Sequence, residues 1–280
     1  MPGIGDCAQG AGLYHRAALE KAETGCNDSC DPVMHDRGEN HKMTRMRKFM
    51  TAEWKNLLML NYAVNSSLLQ SFVPSGTELD AFEGKTYLSL VGFEFNRSRV
   101  FGLTIPFHQA FEEVNLRFYV KRSSKRGVVF IRELVPKFAV AAVARVAYKE
   151  NYLCVPMSHR IETQAEGQIA SAEYAWGSGQ DRCSMRIETG GASYLPTDRS
   201  LSQFITEHYW GYAVQPDGGS LEYEVQHPRW CVRNSKRAVF SGDATGIYGA
   251  EFAQVLTRVP DSAFMADGSP VTIFKGSRIE

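Results

Sequence analysis

The chain has 280 residues, in which 31 lysines and arginines balance 31 aspartates and glutamates. This length is enough for one sizeable hydrophobic core, and the net charge of zero gives no electrostatic reason to expect a nucleic acid or a membrane as a partner. The apolar run at residues 138–144 is interrupted by Arg145, well short of the length that crosses a bilayer. Without a recognisable export signal, the six cysteines are expected to be reduced, so we predict a cytoplasmic protein.

Residues 1–42 differ from the rest of the chain, because their apolar residues follow no sustained period and a second methionine, Met43, comes directly after them. This pattern predicts a disordered extension, followed by a single domain at residues 43–280. Cys26 and Cys30 lie in the extension near acidic residues and histidines, but their spacing is not that of paired zinc ligands. We therefore expect no metal ion and no cofactor.

The body of the chain favours strands, since apolar, β-branched and aromatic residues recur in short runs between Gly, Ser and Asn. In chain order, the predicted strands cover residues 57–64, 85–95, 110–122, 127–134, 159–164, 171–176, 183–189, 221–232 and 269–276. Three helices are predicted: a short one capped by Asn65, one that starts at Pro136, and one at residues 201–209. The strands at 110–122 and 127–134 are separated by a hairpin-sized gap, which predicts an antiparallel pair.

Lys137 is the weak catalytic candidate, because it follows Pro136 in the first turn of a predicted helix. A helix start carries partial positive charge, which lowers the pKa of an amine and favours the neutral form needed to attack a carbonyl group. The alternative is an ordinary lysine that points into water. We expect the ordinary lysine.

Polar and aromatic candidates concentrate in a second region, where His208 and Tyr209 end a predicted helix and His227 and Trp230 lie on the following strand. A histidine at a helix C-terminus is stabilised as its cation, so His208 is a candidate for holding an anionic group of a ligand. The alternative is that these residues pack one end of the domain.

Glu133 and Arg145 form a third candidate pair, since an arginine that interrupts an alanine-rich helix either faces solvent or makes an ion pair, here with Glu133. Other acidic and basic residues lie near predicted strand ends, and their spacing does not select among them: Glu94, Arg97, His108, Glu112 and Glu113.

Four segments of the body resemble the YqjF-like family of bacterial proteins of unknown function. They are RELVPKFAVAAVAR at 132–145, FITEHYWGYA at 204–213, EYEVQHPRW at 222–230 and SAFMADGSPVTIFKG at 262–276. That family is similar in fold to acetoacetate decarboxylase. The resemblance implies an α+β fold, a mostly antiparallel closed β-barrel shaped like a cone, with a few outer helices and a pocket inside.

The decarboxylase forms a Schiff base between a keto acid and a buried lysine, and a second lysine beside it keeps the first one neutral. When Glu133 is aligned with the glutamate that precedes this pair, the two lysine positions fall on Ala139 and Val140, and Lys137 lies two residues before the first. The decarboxylase's carboxylate on the second long strand falls near Ser89, whose hydroxyl cannot do the same acid–base work. The resemblance therefore makes decarboxylation by this mechanism doubtful.

We predict that the protein binds a small apolar or carboxylate-bearing metabolite in the pocket. Two alternatives stay open: a lyase-type enzyme that acts on a keto acid through a Schiff-base lysine, and a structural or interaction protein without a ligand. The candidate pocket residues are Glu133, Arg145, His208, Tyr209, His227 and Trp230.

Overall fold

The computed structural model describes residues 47–138, 140–141, 151–164 and 168–279. The predicted extension at 1–42 lies outside the described residues, and so do Ala139 and Arg145. Within them, strands dominate and helices are few and short, as the sequence predicts.

Fifteen strands form a single sheet within the described ranges. They are β1 (Lys48–Val64), β2 (Glu78–Leu79), β3 (Thr86–Val100), β4 (Leu103–Thr104), β5 (Phe111–Arg122), β6 (Lys125–Val135), β7 (Tyr152–Cys154), β8 (Met157–Thr163), β9 (Ile169–Trp176), β10 (Cys183–Tyr194), β11 (Trp210–Val214), β12 (Ser220–Gln226), β13 (Val232–Ser241), β14 (Ser262–Phe274) and β15 (Ser277–Ile279). The helices are α1 (Ser66–Gln70), α2 (Leu201–Thr206), α3 (Thr245–Tyr248) and α4 (Ala250–Leu256), with a short 3₁₀ turn at Gly179–Asp181.

Seven of these strands pair in a circuit, in the order β12, β11, β6, β5, β3, β1, β14 and back to β12. The long pairings of β1 with β3 and β14, and of β5 with β3 and β6, are antiparallel. The pairings of β6 with β11 and with β7 are parallel, so the sheet is mixed. The remaining strands extend from this circuit, with β13, β10, β9 and β8 following β14 in order.

The β11–β12 hairpin is paired with each of its neighbours in the circuit over only a few residues. Two residue pairs connect β11 to β6, and two connect β12 to β14. The first contact requires a glycine, because an added Cβ on Gly127 would lie 2.7 Å from the carbonyl oxygen of Trp210. The two strands therefore approach each other only where a side chain is missing.

The central strands are buried on both faces. Leu58 and Leu60 of β1 belong to a core cluster that includes residues of β9, β10 and α4, whereas Leu57 and Met59 belong to a cluster on the opposite face. Successive strand residues point to opposite sides, so this division follows directly from the unbroken apolar run at 57–60. The second face is the one that encloses a cavity.

Two predicted elements end earlier than the sequence indicates. The predicted helix at 201–209 stops at Thr206, because the backbone of Tyr209 joins the sheet, donating to Arg126 and accepting from Val225. The predicted strand at 221–232 stops at Gln226, two residues before Pro228, which has no N–H for a ladder. His208 and His227 therefore lie in connecting segments rather than in a helix and a strand.

The segment around Pro136 follows the prediction. Strand β6 ends at Val135, and the N–H of Ala141 donates to the carbonyl of Lys137 at 3.2 Å, which closes a first helical turn. None of the helices within the described ranges combines the length and the low polarity needed to cross a bilayer.

A candidate ligand cavity

A cavity of about 160 Å³ lies on the inner face of the strand circuit. Its apolar wall comes from alternate residues of β1 and β3, the strands whose two faces are both buried. Phe93 and Phe95 of β3 meet Trp54 of β1 edge to face, at 5.2 and 5.8 Å between ring centroids, and Phe95 stacks on Phe111 at 4.7 Å. Most of the cavity is therefore suited to an apolar group.

A polar part of the wall comes from three alternate residues of β5, Glu113, Asn115 and Arg117, which face inward together because strand side chains alternate. The Asn115 amide donates to Glu113 at 3.0 Å, and the Tyr152 hydroxyl donates to the same carboxylate at 3.2 Å. Glu133 of β6 pairs with Asn115 across the ladder and lines the cavity too. Carboxylate, amide and guanidinium groups are thus brought together on otherwise apolar strands.

Arg117 is the unusual member of this group. Only 9% of the residue is exposed, and its Nε is fully buried without a hydrogen-bond acceptor. Among the described residues, its guanidinium makes no ion pair and no hydrogen bond, and its Cζ lies 5.8 Å from the centroid of the Tyr119 ring. A buried cation without an anion is costly, so this side chain is suited to receive an acceptor from a ligand.

His208 lies beside this group, and Arg126 fixes its tautomer. Arg126 Nε donates to Asp80 at 2.7 Å, and its Nη2 lies 3.3 Å from His208 Nε2. A guanidinium can only donate, so Nε2 is the acceptor and the ring proton is on Nδ1. The Asp80 oxygen, at 3.7 Å from Nε2, is beyond hydrogen-bond range.

The charge state of His208 differs from the expectation. Burial lowers the pKa of His208 to about 4; the carboxylate of Asp80 raises it in part, and the nearby charges of Arg126 and Arg117 lower it. The prediction of a cationic His208 at a helix end is therefore wrong: the helix ends at Thr206, and the imidazole is neutral. Its Nδ1 is buried without a partner among the described residues, which makes it a neutral donor at the cavity wall.

The predicted aromatic candidates form one stack. His227 lies flat on Trp230, with ring centroids 4.1 Å apart, and the tilted ring of Tyr209 has its centroid 4.8 Å from that of His227. His227 and Trp230 line the cavity, whereas Tyr209 supports the stack from outside it. Burial lowers the pKa of His227 to about 4, and its Nδ1 lies 2.8 Å from the carbonyl of Pro228.

The lysine and carboxylate positions of the decarboxylase are occupied differently here. No lysine of the described residues lines the cavity, and Lys137 lies outside it. Val140, which the resemblance aligns with the second lysine, contributes an apolar wall. The hydroxyl of Ser89 is fully buried and is engaged with Asn61 at 2.6 Å and with Tyr119 at 2.7 Å.

The cavity therefore brings together Glu133, His208, His227 and Trp230 of the predicted candidates, and it adds Asn115 and Arg117, which the sequence reasoning missed. Whether the predicted residues bind a ligand stays a prediction. The missed signal was the alternation of polar residues with Val114, Leu116 and Phe118 along a buried strand. Within the described ranges, no three His, Cys, Asp or Glu side chains converge as metal ligands.

This fold is shared with solved proteins that include an acetoacetate decarboxylase. Acetoacetate decarboxylase from Legionella pneumophila superposes with a TM-score of 0.61 at 10% identity, covering 96% of this chain and 98% of that chain. The enduracididine biosynthesis enzyme MppR complexed with pyruvate has a TM-score of 0.61 at 13% identity, covering 89% and 98%. These identities show the likeness of fold alone.

The family follows from the sequence comparison. The model of DUF2071, an uncharacterized conserved protein, matches residues 51–270, so the chain belongs to this family. The uncharacterized protein YqjF of Bacillus subtilis (strain 168) is 25% identical over 202 residues, which cover 71% of this chain and 81% of that protein. The predicted resemblance to YqjF-like proteins and to the decarboxylase fold is confirmed.

Proposed function

We propose that this protein binds a small apolar metabolite that carries a carboxylate, and that the strand circuit acts as a closed barrel around it. The observation that carries the proposal is Arg117, a buried guanidinium without an anionic partner among the described residues, on the wall of an apolar cavity. A ligand carboxylate supplies the missing negative charge, and an apolar tail fills the space beside the phenylalanines of β3.

Within the described residues, two further unpaired donors of the wall support a ligand that accepts hydrogen bonds, although the wall also holds one unpaired amide acceptor, Asn115 Oδ1. Trp54 Nε1 and His208 Nδ1 are buried donors without partners among the described residues, as Arg117 Nε is. Buried donors are rarely left unsatisfied in a folded protein, so their concentration at one cavity favours an occupant that accepts hydrogen bonds.

A binding role is favoured over a Schiff-base lyase, because no lysine of the described residues reaches the cavity. MppR has been solved in complex with pyruvate, so one protein of this fold takes a small carboxylate. We also propose a cytoplasmic location, supported by free thiols at Cys154, Cys183 and Cys231 in the described part of the chain.

Calorimetric titration with matched acids and amides tests the proposal. We expect 3-phenylpropionate and octanoate to bind, and 3-phenylpropionamide and octanamide to bind about 10- to 100-fold more weakly, since a charge-assisted hydrogen bond is worth about 1.5–3 kcal/mol. Arg117→Met should abolish the preference for the acids. Arg160→Met removes an arginine with a 73% exposed side chain on β8 and should change nothing.

The two alternative functions, a Schiff-base lyase and a structural protein without a ligand, predict different outcomes of these experiments. A mass increase after borohydride reduction in the presence of pyruvate or acetoacetate would replace this proposal with the Schiff-base lyase. Equal affinity of Arg117→Met and unmodified protein for the acids would remove Arg117 from the site. A protein that binds none of the four probes would favour the structural role.

A further inference from the structure

The connection between β3 and β5 exposes a cluster of large apolar side chains. We call residues 97–108 the rim hairpin. Phe101, Leu103, Ile105 and Phe107 are 51%, 72%, 37% and 89% exposed, and they are four of the nine exposed large hydrophobic residues in the described part of the chain. Such a concentration within seven residues is typical of an interaction surface rather than of scattered exposure.

The backbone of the rim hairpin holds these side chains in a defined arrangement. Arg99 pairs with Thr104 and Val100 with Leu103, across a two-residue turn in which Phe101 and Gly102 have φ of 50° and 81°. Positive φ at both central positions is the geometry of a tight hairpin turn, and it is unfavourable for phenylalanine. The turn is also tied to β1, since the Phe101 N–H donates to the carbonyl of Phe49 at 2.7 Å.

The rim hairpin borders the cavity. Val100, Ile105 and His108 line the cavity wall, whereas Phe101, Leu103 and Phe107 do not. Because neighbouring residues of one short segment face the cavity and the solvent, this segment forms an edge of the cavity, and we assign the cavity entrance to this edge.

The charge around the rim hairpin is positive. Residues 96–110 contain two arginines and no carboxylate, and the start of β1 adds Arg47 and Lys48, both exposed. Arg97 lies 3.8 Å from Glu53, while Arg99 makes no ion pair within the described residues. The net charge of zero is a sum over the whole chain and does not describe this surface. Exposed aromatic and aliphatic side chains flanked by basic residues are complementary to the interface of an anionic membrane.

We propose that the rim hairpin docks on an anionic lipid surface, with Leu103 and Phe107 entering the interfacial layer and the arginines contacting lipid phosphates. Docking in this orientation brings the cavity entrance to the membrane. A ligand that partitions into lipid then exchanges between the membrane and the cavity, and this last step rests on the proposed function.

Vesicle co-sedimentation of the full-length protein tests the docking. The vesicles contain 30% phosphatidylglycerol in phosphatidylcholine, with pure phosphatidylcholine as the charge control. We expect binding to the anionic vesicles alone, a loss of about tenfold or more with Leu103→Ser/Phe107→Ser, and a loss at high salt. These two positions are chosen because they are the most exposed, so their substitution leaves the contact of Phe101 with Phe49 in place.

Val259→Ser is the matched control, because Val259 is 86% exposed in the loop between α4 and β14, outside the rim hairpin. It should bind vesicles as the unmodified protein does. Arg117→Met should also bind them, so failure of the carboxylate site and failure of docking are distinguishable.

Two results would overturn the docking proposal. One is an unmodified protein that stays in the supernatant with anionic vesicles; if Leu103→Ser/Phe107→Ser then forms a smaller oligomer than the unmodified protein, the surface belongs to a contact with a second copy of this chain. The other is a double variant that binds anionic vesicles as strongly as the unmodified protein does.

Discussion

Two polar clusters lie side by side on the inner face of the same strands, and they differ in how their hydrogen bonds are satisfied. In the first, which we call the closed network, Ser89 donates to Asn61, Tyr119 donates to Ser89, and Asn61 donates to Ser262 at 3.1 Å. In the second, the open cluster, Asn115, Arg117 and His208 each keep a buried polar atom without a partner among the described residues.

The two clusters are in direct contact. Ser89 pairs with Arg117 across β3 and β5, and the ring of His208 lies over Tyr119 with 4.5 Å between centroids. Burial alone therefore does not separate a structural polar residue from a candidate ligand-binding one. The difference is whether the neighbours complete the hydrogen bonds, because a completed network stabilises the fold and an incomplete one is costly until a ligand arrives.

The largest expected effect of a single substitution is at the aromatic stack beside the open cluster. Trp230→Ala should lower the free energy of unfolding by about 3–5 kcal/mol, because it removes a ring that is 4% exposed and leaves His227 without its stacking partner. Urea unfolding followed by circular dichroism measures the change. Trp230→Phe keeps an aromatic ring and should cost less. An unchanged unfolding curve for the alanine variant, together with lost ligand binding, would assign Trp230 to the site alone.

Acid should destabilise the region through two histidines, the buried His208 and the partly buried His227. Their pKa of about 4 in the folded protein lies below the usual value of 6.5, so the unfolded chain binds more protons between these limits. Stability is therefore full above about pH 6.5 and falls as the pH drops towards 4, by up to about 3 kcal/mol for each histidine.

Unfolding measured between pH 7 and 4 tests this dependence, and His208→Asn should reduce its slope. Asparagine places an amide N–H near the position of Nδ1 without a titrating group. A slope that is the same in His208→Asn and in the unmodified protein would show that His208 does not titrate in this range.

Two serine substitutions compare a hydroxyl within a completed hydrogen-bond network with a buried hydroxyl that has no partner among the described residues. Ser89→Ala should cost about 1–3 kcal/mol, since it leaves the Asn61 oxygen and the Tyr119 hydroxyl unpaired in a buried site. Ser98→Ala removes a hydroxyl that is also buried but has no partner among the described residues, so its cost should be close to zero. Equal losses in thermal unfolding would contradict the distinction between completed and incomplete hydrogen bonds.

The expected effect on stability is also small at Arg117. Arg117→Met should leave the free energy of unfolding within about 1 kcal/mol of the unmodified protein or raise it, because an unpaired buried charge gives no net stabilisation. Arg126→Met is the matched comparison and should destabilise the protein, since it leaves Asp80 without its ion pair at 2.7 Å. A loss at Arg117 as large as that at Arg126 would reveal a structural partner for its guanidinium.

Local patterns in the sequence predict much of the sheet. The predicted strands at 110–122 and 127–134 correspond to β5 at Phe111–Arg122 and β6 at Lys125–Val135, because strong apolar alternation and a short polar gap both favour a hairpin. The first half of β1 and all of β13 were not predicted. Many of their residues are polar, and they become strands by pairing with distant segments: the first half of β1 pairs with β3 and β14, and β13 pairs with β10 and, over three residue pairs, with β14.

The candidate site is harder to predict from the sequence, because it too depends on contacts between residues that are distant in the chain. His208, His227 and Trp230 are recognisable as a concentration of aromatic residues, but the charge of His208 depends on burial and on Arg126, 82 residues away. Arg117 is one arginine in the middle of a predicted strand, and the sequence does not show what its side chain contacts. Its guanidinium is buried without a partner among the described residues because of how β3, β5 and the segment after α2 are placed around it, and the sequence alone does not show this placement.

The β11–β12 hairpin should exchange its amide protons early at its two edges, because few residues pair it with the neighbouring strands. Two residue pairs hold it to β6 and two to β14, whereas β1 and β3 share twelve. Local opening requires the least free energy where the fewest backbone hydrogen bonds break, so the amide protons at these two contacts should exchange with deuterium before those of β1 and β3. Tyr223 and Val225 of this hairpin line the cavity, so an occupant that touches them slows this exchange and reports its own binding without any label.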